Sequence, residues 1–148
     1  MKRERFKAPS SVFLILHSQQ KFCLLHRTHT GWMDGLYSIA AGAVEAGETL
    51  IQALIREAKE ELGITVLPQH LQLVHTLHAK TEGDLWLGHF FAAQEWDGEP
   101  ITMEPHKHSH ILWVPLDEVN GQLVPYVEQA LRAVQAGQMY SEFGFEFA

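Results

Sequence analysis

Residues 42–64 read GAVEAGETLIQALIREAKEELGI, the pattern of a capped amphipathic helix between glycine-containing turns. The apolar residues recur at helical spacing, which predicts a helix from Thr49 to Leu62. Thr49 and Gln52, three residues apart, form a capping-box pair at the start of this helix. Gly63 stands where a helix-ending glycine belongs. The sequence therefore specifies both ends of the helix.

The predicted helix carries an acidic strip beside its apolar face. At about 100° per residue, Glu57, Glu60 and Glu61 lie on one strip because they are three and four residues apart. Glu61 falls at the edge of the core-facing stripe, where a lone carboxylate is costly. The strip is either a solvated acidic face or a site for a hard divalent cation, and helix geometry alone leaves both interpretations open.

Strands and a second helix are predicted on both sides of this segment. Upstream are a hairpin of Ser11–Leu16 and Lys21–Arg27, a short strand over Tyr37–Ala41, and a turn that contains Gly42 and Gly47. Downstream are the strands Leu71–Lys80, Leu85–Trp96 and Ile111–Val114 and an amphipathic helix over Pro125–Ala136. Hairpins mixed with a few helices indicate an α+β fold with a mixed sheet, in a single domain covering 1–148.

Composition and charge limit the classes of function. The chain has 148 residues, a formal net charge of −7 and one cysteine, Cys23. This charge argues against binding to a nucleic acid polymer, and a single cysteine excludes an internal disulfide framework. The longest wholly apolar run, Val12–Leu16, is far too short to cross a membrane. The basic start, residues 1–6, has no cleavage-site pattern and is interpreted as a strand entering the core, so a cytoplasmic location is expected.

The 42–64 stretch resembles the Nudix box, G-x5-E-x7-R-E-U-x-E-E-x-G-U, in which U is aliphatic. The matching positions are Gly42, Glu48, Arg56, Glu57, Ala58, Glu60, Glu61, Gly63 and Ile64. Alanine at the first U position is a mild variant of the pattern. The chain is therefore similar to the Nudix (MutT-like) hydrolases. The resemblance implies an αβα sandwich with a mixed central β-sheet and a loop-helix-loop at the box.

Similarity to this family implies a pyrophosphohydrolase that uses Mg²⁺ or Mn²⁺ and cleaves a nucleoside diphosphate linked to another moiety. The metal ligands that it implies are Glu57, Glu60, Glu61 and the backbone carbonyl of Ala41. Glu57 is alternatively the group that holds or deprotonates the attacking water. The roles implied for the other box residues are that Arg56 orients Glu57, that Glu48 supports Arg56 or a metal-bound water, and that Gly42 allows a tight loop.

The glycine pattern before the box departs from many family members. They have two glycines in this segment, whereas this chain reads Ala40-Ala41-Gly42. Ala41 can present its carbonyl without strain only if its φ is negative.

Further site residues are expected outside the box. Related proteins often supply one more acidic residue from a later loop, as base or metal ligand, and Glu104 is the candidate here. The alternatives are Glu82, Glu95 and Glu99. Arg27 ends a predicted strand from which relatives often contact substrate phosphates, although a surface charge is an equal alternative. Tyr37 flanks the entry to the box and is a candidate to close over the ligand.

Two segments near the C-terminus have several interpretations. His106, His108 and His110 alternate, so an extended chain would project all three on one side as a zinc site or phosphate contact. A flexible polar loop is the favoured interpretation. The aromatic tail Tyr140–Ala148 is expected to dock on its own domain rather than on a partner. Monomer and homodimer both remain open.

Two other classes of function are compatible with the resemblance. One is a catalytically silent Nudix-fold module that binds a nucleotide or regulates a partner; the retained box carboxylates argue against it. The other is an isomerase of prenyl diphosphates, whose expected catalytic cysteine has no counterpart because Cys23 lies well before the box. The box does not identify the substrate, since residues elsewhere determine it.

Overall fold

The structure is a computed structural model that describes residues 3–146. Its strands are β1 (Ser10–Ser18), β2 (Lys21–Arg27), β3 (Tyr37–Ser38), β4 (Ala40–Ala43), β5 (Leu71–Thr81), β6 (Asp84–Ala93), β7 (His108–Val114) and β8 (Tyr140–Phe143). Its helices are α1 (Leu50–Leu62) and α2 (Pro125–Gln135), and two 3₁₀ helices span Pro68–His70 and Leu116–Val119. Neither α1 nor α2, within the described range, is long and apolar enough to cross a membrane.

Strand β1 takes part in two sets of strand pairs. In the larger set the order is β4-β1-β6-β5-β8, with β1 parallel to β6 and β5 parallel to β8. The β1–β4 and β5–β6 pairs are antiparallel, so the sheet is mixed. In the smaller set β2 lies antiparallel between β3 and β7, and a tight hairpin joins it to β1. The prediction of an α+β fold with a mixed sheet is confirmed.

Alternate side chains of β1 enter two separate cores. Val12, Leu14 and Leu16 pack in the core that α1 covers, whereas Phe13 and Ile15 pack in the core that α2 covers. This alternation follows from the two-residue period of a strand. Full burial of each such side chain contributes about 1.5–3 kcal/mol. A helix on each face gives the αβα sandwich that the sequence predicts.

The ends of α1 are fixed by the contacts that the sequence predicts. The Thr49 hydroxyl accepts the Gln52 N–H, and the Gln52 side chain accepts the Thr49 N–H. Gly63 ends the helix at φ 68°, in the left-handed region that favours glycine, and its N–H donates to Lys59. Because both ends of α1 are capped, the positions of the box side chains along the helix are fixed.

Three predicted strands differ from the structure by a break or by three residues at one end. The predicted strand Tyr37–Ala41 is two strands, since β3 pairs with β2 while β4 pairs with β1 and the buried Ile39 lies between them. Strand β6 ends at Ala93 rather than Trp96, because the backbone of Asp97 pairs instead with Thr65. Strand β7 begins at His108, three residues before the predicted Ile111.

The prediction for the N-terminal segment is wrong, whereas the prediction for the C-terminal tail is confirmed. Residues 3–9 form no strand and Phe6 is 76% exposed, so the prediction that the N-terminal segment enters the core is wrong. The tail docks on its own domain, as predicted, because β8 pairs in parallel with β5. Residues 147 and 148, part of the predicted tail, lie outside the described range.

Candidate active site

Arg56 is the centre of a charged network at one end of β4. Its Nε and Nη2 donate to the two carboxylate oxygens of Glu48 at 2.8 and 2.9 Å, in the paired geometry that a guanidinium favours. Its Nη1 donates to Glu57 at 2.7 Å and to Glu60 at 3.4 Å, and Nη2 also reaches the Ala43 carbonyl. Arg56 therefore holds both Glu48 and Glu57 and is not a free surface charge.

A tight loop before α1 delivers Glu48 to this network. The Glu48 carboxylate accepts the Glu45 N–H, and the Glu48 N–H donates to the Glu45 carbonyl. Gly47 has φ 86°, a conformation that favours glycine, and so permits this turn. The hydrogen bonds from Arg56 and Glu45 lower the pKa of Glu48 to about 2, so this carboxylate stays charged.

Glu57 packs directly against the backbone of Gly42. A Cβ on Gly42 would overlap the Glu57 carboxylate, well inside the 3.0 Å that separates real Cβ atoms from their neighbours. Gly42 lies in β4 and its φ is not left-handed, so the prediction that it allows a tight loop is wrong. Its missing side chain leaves room for Glu57, whose side chain is only 13% exposed.

Glu61 is the most deeply placed carboxylate of the box. Its Oε2 accepts the Ala41 N–H at 2.9 Å. Burial is the main reason that its pKa rises to about 8, and the nearby Glu57 and Glu104 charges raise it further. Burial also raises the pKa of Glu57. A bound cation would offset the repulsion between these two neighbouring carboxylates and favour their ionised forms.

Glu104 reaches the same site from a distant part of the chain. The segment before β7 docks on the end of α1, where Ile101 and Met103 donate backbone hydrogen bonds to the carbonyls of Leu62 and Glu61. The negative charge of Glu104 raises the pKa of both Glu57 and Glu61, while Lys107 pairs with it at 3.3 Å.

The exposed alternatives to Glu104 have other surroundings. Glu82 lies in the β5–β6 turn, and Glu95 pairs with His70 at 3.1 Å. The charge of Glu99 adds to the effect of burial in raising the pKa of the Cys23 thiol. Of these four acidic residues, Glu104 is the one whose charge raises the pKa of the box residues Glu57 and Glu61.

Two cavities open beside Glu61 and share Arg27, Glu61 and His108; we refer to the pair as the central cleft. One, about 170 Å³, also touches Gly42 and Tyr126. The other, about 460 Å³, extends over residues 29–30 and 106–107. Glu61 thus faces a space large enough to receive part of a ligand.

Arg27 is held in position at the edge of the central cleft. Its Nε donates to the Trp32 carbonyl and its Nη2 to the Thr30 hydroxyl, both at 3.0 Å, and its guanidinium lies 4.8 Å from the Trp32 ring centre. Among the described residues, none accepts a hydrogen bond from Nη1. This leaves Nη1 as a free donor beside the cleft.

Tyr37 is not among the described residues that line the central cleft. Its hydroxyl binds His110 Nε2 at 2.9 Å and its ring meets the edge of His26, because β3 pairs with β2 at this point. The expectation that Tyr37 closes over a ligand therefore has no support in the structure.

The three alternating histidines do not form one site, and the favoured interpretation as a flexible loop is wrong for two of them. His108 and His110 belong to β7, whereas His106 lies in the preceding turn. An irregularity in the β2–β7 pairing separates them, so that His108 is buried and His110 is exposed against His26.

Sequence reasoning did not find Tyr126, which lies in the first turn of α2. Tyr126 lines the central cleft and packs edge-on against Trp86 at 4.9 Å. Burial raises the pKa of its hydroxyl. A polar aromatic residue directly after Pro125 was the available signal, but only the packing of α2 on the sheet brings it to the cleft.

The donor set of the site fits a hard divalent cation. Glu57, Glu60, Glu61 and Glu104 supply only carboxylate oxygens, which Mg²⁺ and Mn²⁺ prefer. Within residues 3–146, however, no three His, Cys, Asp or Glu side chains converge at metal-ligand spacing. Arg56 binds two of the carboxylates, so their oxygens must turn or be shared when an ion binds.

The fold and the spacing of the box residues define a protein class. A family model described as the NUDIX domain matches residues 7–136. This chain belongs to the Nudix family and is a Nudix hydrolase. Hydrolases of this family generally use divalent metal ions.

Several named proteins are similar to this chain. Phosphatase NudJ of Escherichia coli K12 is 30% identical over 138 residues, which cover 91% of this chain and 88% of that protein. A NUDIX hydrolase from Nitrosomonas europaea is 26% identical with a TM-score of 0.75, and the match covers 90% of this chain and 93% of that one. A MutT NUDIX hydrolase from Burkholderia pseudomallei has a TM-score of 0.77 at 23% identity, over 86% and 98% of the two chains, and shows the fold alone.

Proposed function

We propose that this protein is a Mg²⁺- or Mn²⁺-dependent pyrophosphohydrolase that cleaves a nucleoside diphosphate linked to another moiety. It would act in the cytoplasm as a single domain over residues 1–148, with no nucleic acid polymer or membrane as partner. The observation that supports this most strongly is the position of Glu61, which lines the central cleft together with Arg27 and lies close enough to Glu57 and Glu104 for their charges to raise its pKa. Acidic groups to hold cations and a basic group to bind phosphate are the two requirements of diphosphate cleavage.

The proposed metal ligands are Glu57, Glu60, Glu61, Glu104 and the carbonyl of Ala41. Ala41 is not at positive φ, so alanine is tolerated where many relatives have glycine. When bound, a divalent ion would neutralise the diphosphate and lower the pKa of a water.

Glu57 has one oxygen available for chemistry. Its Oε1 accepts from Arg56, whereas no described residue donates to its Oε2. Oε2 is thus free to be a ligand or to take the proton of the attacking water. In the second role, the water oxygen bonds to phosphorus, the bridging P–O bond breaks, and the leaving oxygen keeps the electron pair.

Two arginines position the reacting groups in this proposal. Arg56, fixed by Glu48, keeps the Glu57 carboxylate oriented while Glu57 changes charge. Arg27 offers its free Nη1 to phosphate oxygens in the central cleft.

Hydrolysis across a substrate panel tests the proposed function. The panel contains nucleoside triphosphates, oxidised nucleotides, ADP-ribose and nucleotide sugars, each with Mg²⁺ or with EDTA. We expect turnover of at least one substrate that EDTA and the Glu61→Gln variant both abolish. Nucleotide binding without turnover across the panel would instead support the silent module, and turnover that persists in EDTA would contradict the metal-dependent mechanism.

Metal removal is expected to make stability depend on pH. The pKa of Glu61 is about 8 in the folded protein against an ordinary 4.5, so the unfolded chain releases this proton first as pH rises. Stability without metal is therefore full below about pH 4.5 and falls as pH approaches 8. In EDTA we expect the Tm at pH 8.5 to lie roughly 5 °C or more below that at pH 5.5.

The matched control for this prediction is Glu61→Gln, which cannot ionise. Subtracting its pH profile removes the contribution of the histidines. Mg²⁺ should raise the wild-type Tm most at high pH, where Glu61 is ionised when it binds a cation. Equal profiles for wild type and Glu61→Gln in EDTA would contradict the assignment.

A further inference from the structure

His108 is a buried histidine in the wall of the central cleft. His108 is only 6% exposed, and it lies opposite Arg27 in the pairing of β7 with β2. Both cavities of the cleft include His108 together with Arg27 and Glu61. The metal and proton-transfer roles proposed above do not use this side chain.

The two ring nitrogens of His108 have different surroundings. Nδ1 is sealed from solvent and has no hydrogen-bond partner among the described residues. Nε2 likewise has no partner in that part of the chain but is not sealed. A buried N–H without an acceptor is costly, and a buried imidazolium is costlier still. The ring is therefore expected to be neutral, with its proton on the accessible Nε2.

We propose that His108 is a substrate-binding residue whose Nε2–H donates a hydrogen bond to a phosphoryl oxygen in the central cleft, beside Arg27. This inference rests on the proposed function and adds a specific contact to it. Nε2 in this tautomer is a donor only, so its ligand must be an acceptor. The basic side chains of Arg27 and Lys107 border the same cavity and favour an anionic acceptor.

A pair of substitutions separates the two ring nitrogens. The side-chain amide nitrogen of glutamine lies near the position of Nε2, and that of asparagine near the position of Nδ1. The probe is imidodiphosphate, a diphosphate analogue with a P–N–P bridge, whose Kd is measured by calorimetry with Mg²⁺. We expect His108→Gln to bind within about threefold of wild type and His108→Asn and His108→Ala to bind about fivefold or more weakly.

Nitrogen-15 NMR of the wild-type histidines tests the same inference without a substitution. We expect the Nε2–H tautomer for His108 at pH 7.5 and a shift of this signal when imidodiphosphate is added. The control is His89, half-buried on β6 with its Nε2 bonded to Ser10 at 3.2 Å, which should not respond. His89→Gln should likewise leave the Kd unchanged.

The outcomes distinguish this inference from the proposed function. Substrate hydrolysis with equal imidodiphosphate affinity in the Gln, Asn and Ala variants would overturn the role of His108 and leave the function in place. An Nδ1–H tautomer would also overturn it. If the panel shows no hydrolysis while the NMR shift and the order Gln over Asn are observed, the diphosphate contact stands and the catalytic proposal falls.

Discussion

Glu57→Gln is expected to lower kcat at least a hundredfold while the protein stays folded. Glutamine has nearly the same shape and can still accept the Arg56 hydrogen bond through its oxygen. It lacks the negative charge with which Glu57 would hold a cation and cannot take a proton from water, so metal binding is weakened and the role as base is lost. Because Glu57 is only 13% exposed, replacing its charge by a neutral amide should not reduce stability.

The measurement is kcat on the best panel substrate at saturating Mg²⁺, with Tm recorded in parallel. Glu95→Gln is the matched control, since this exposed carboxylate pairs with His70, lines neither cavity of the central cleft and should keep full turnover. A Glu57→Gln enzyme with a kcat within tenfold of wild type at metal saturation would rule out both roles.

The helix that carries the box was predictable because its determinants are local. Thr49, Gln52 and Gly63 act within one turn of the helix ends, and the structure has all the expected cap contacts. The Arg56–Glu57 contact is equally local, between neighbours on one helix. Where bonding partners lie a few residues apart, their spacing in sequence determines the geometry.

The elements that sequence reasoning placed wrongly depend on distant partners. The break at Ile39 arises because β3 and β4 pair with different strands, which no local pattern encodes. Strand β7 begins at His108 because the chain there pairs with Arg27 of β2, although a run of polar residues resembles a loop. Pairing across such separations overrides local preference.

The candidate site likewise contains residues that local sequence predicts and residues that only distant contacts bring together. Glu104 was the candidate from the sequence, although Glu82, Glu95 and Glu99 are equally exposed by sequence, and backbone hydrogen bonds from its segment to the end of α1 bring it near Glu61. Tyr126 and the isolated Nδ1 of His108 are consequences of packing between elements. The spacing of residues within the box is therefore enough to predict the chemistry of the site. The residues that line the cleft can be identified only once the folded structure is known.

Gly42→Ala tests the contact that explains the first glycine of the box, and we expect it to lower kcat roughly tenfold to a hundredfold. The added Cβ would occupy the space of the Glu57 carboxylate and force it away from Arg56. A displacement of about 1 Å in a catalytic group is enough for a loss of this size. Strand β4 itself should persist, because alanine already occupies both neighbouring positions.

A double-mutant cycle distinguishes this mechanism from general damage to the strand. If Gly42 acts through Glu57, adding Gly42→Ala to Glu57→Gln should cost much less than in the wild type, because the group it displaces has already lost its function. The kcat of all four proteins and their Tm values complete the cycle. Losses that multiply independently would show that Gly42 contributes by another route, such as the carbonyl of the adjacent Ala41. The role of this glycine would then lie in the backbone rather than in making room for the Glu57 carboxylate.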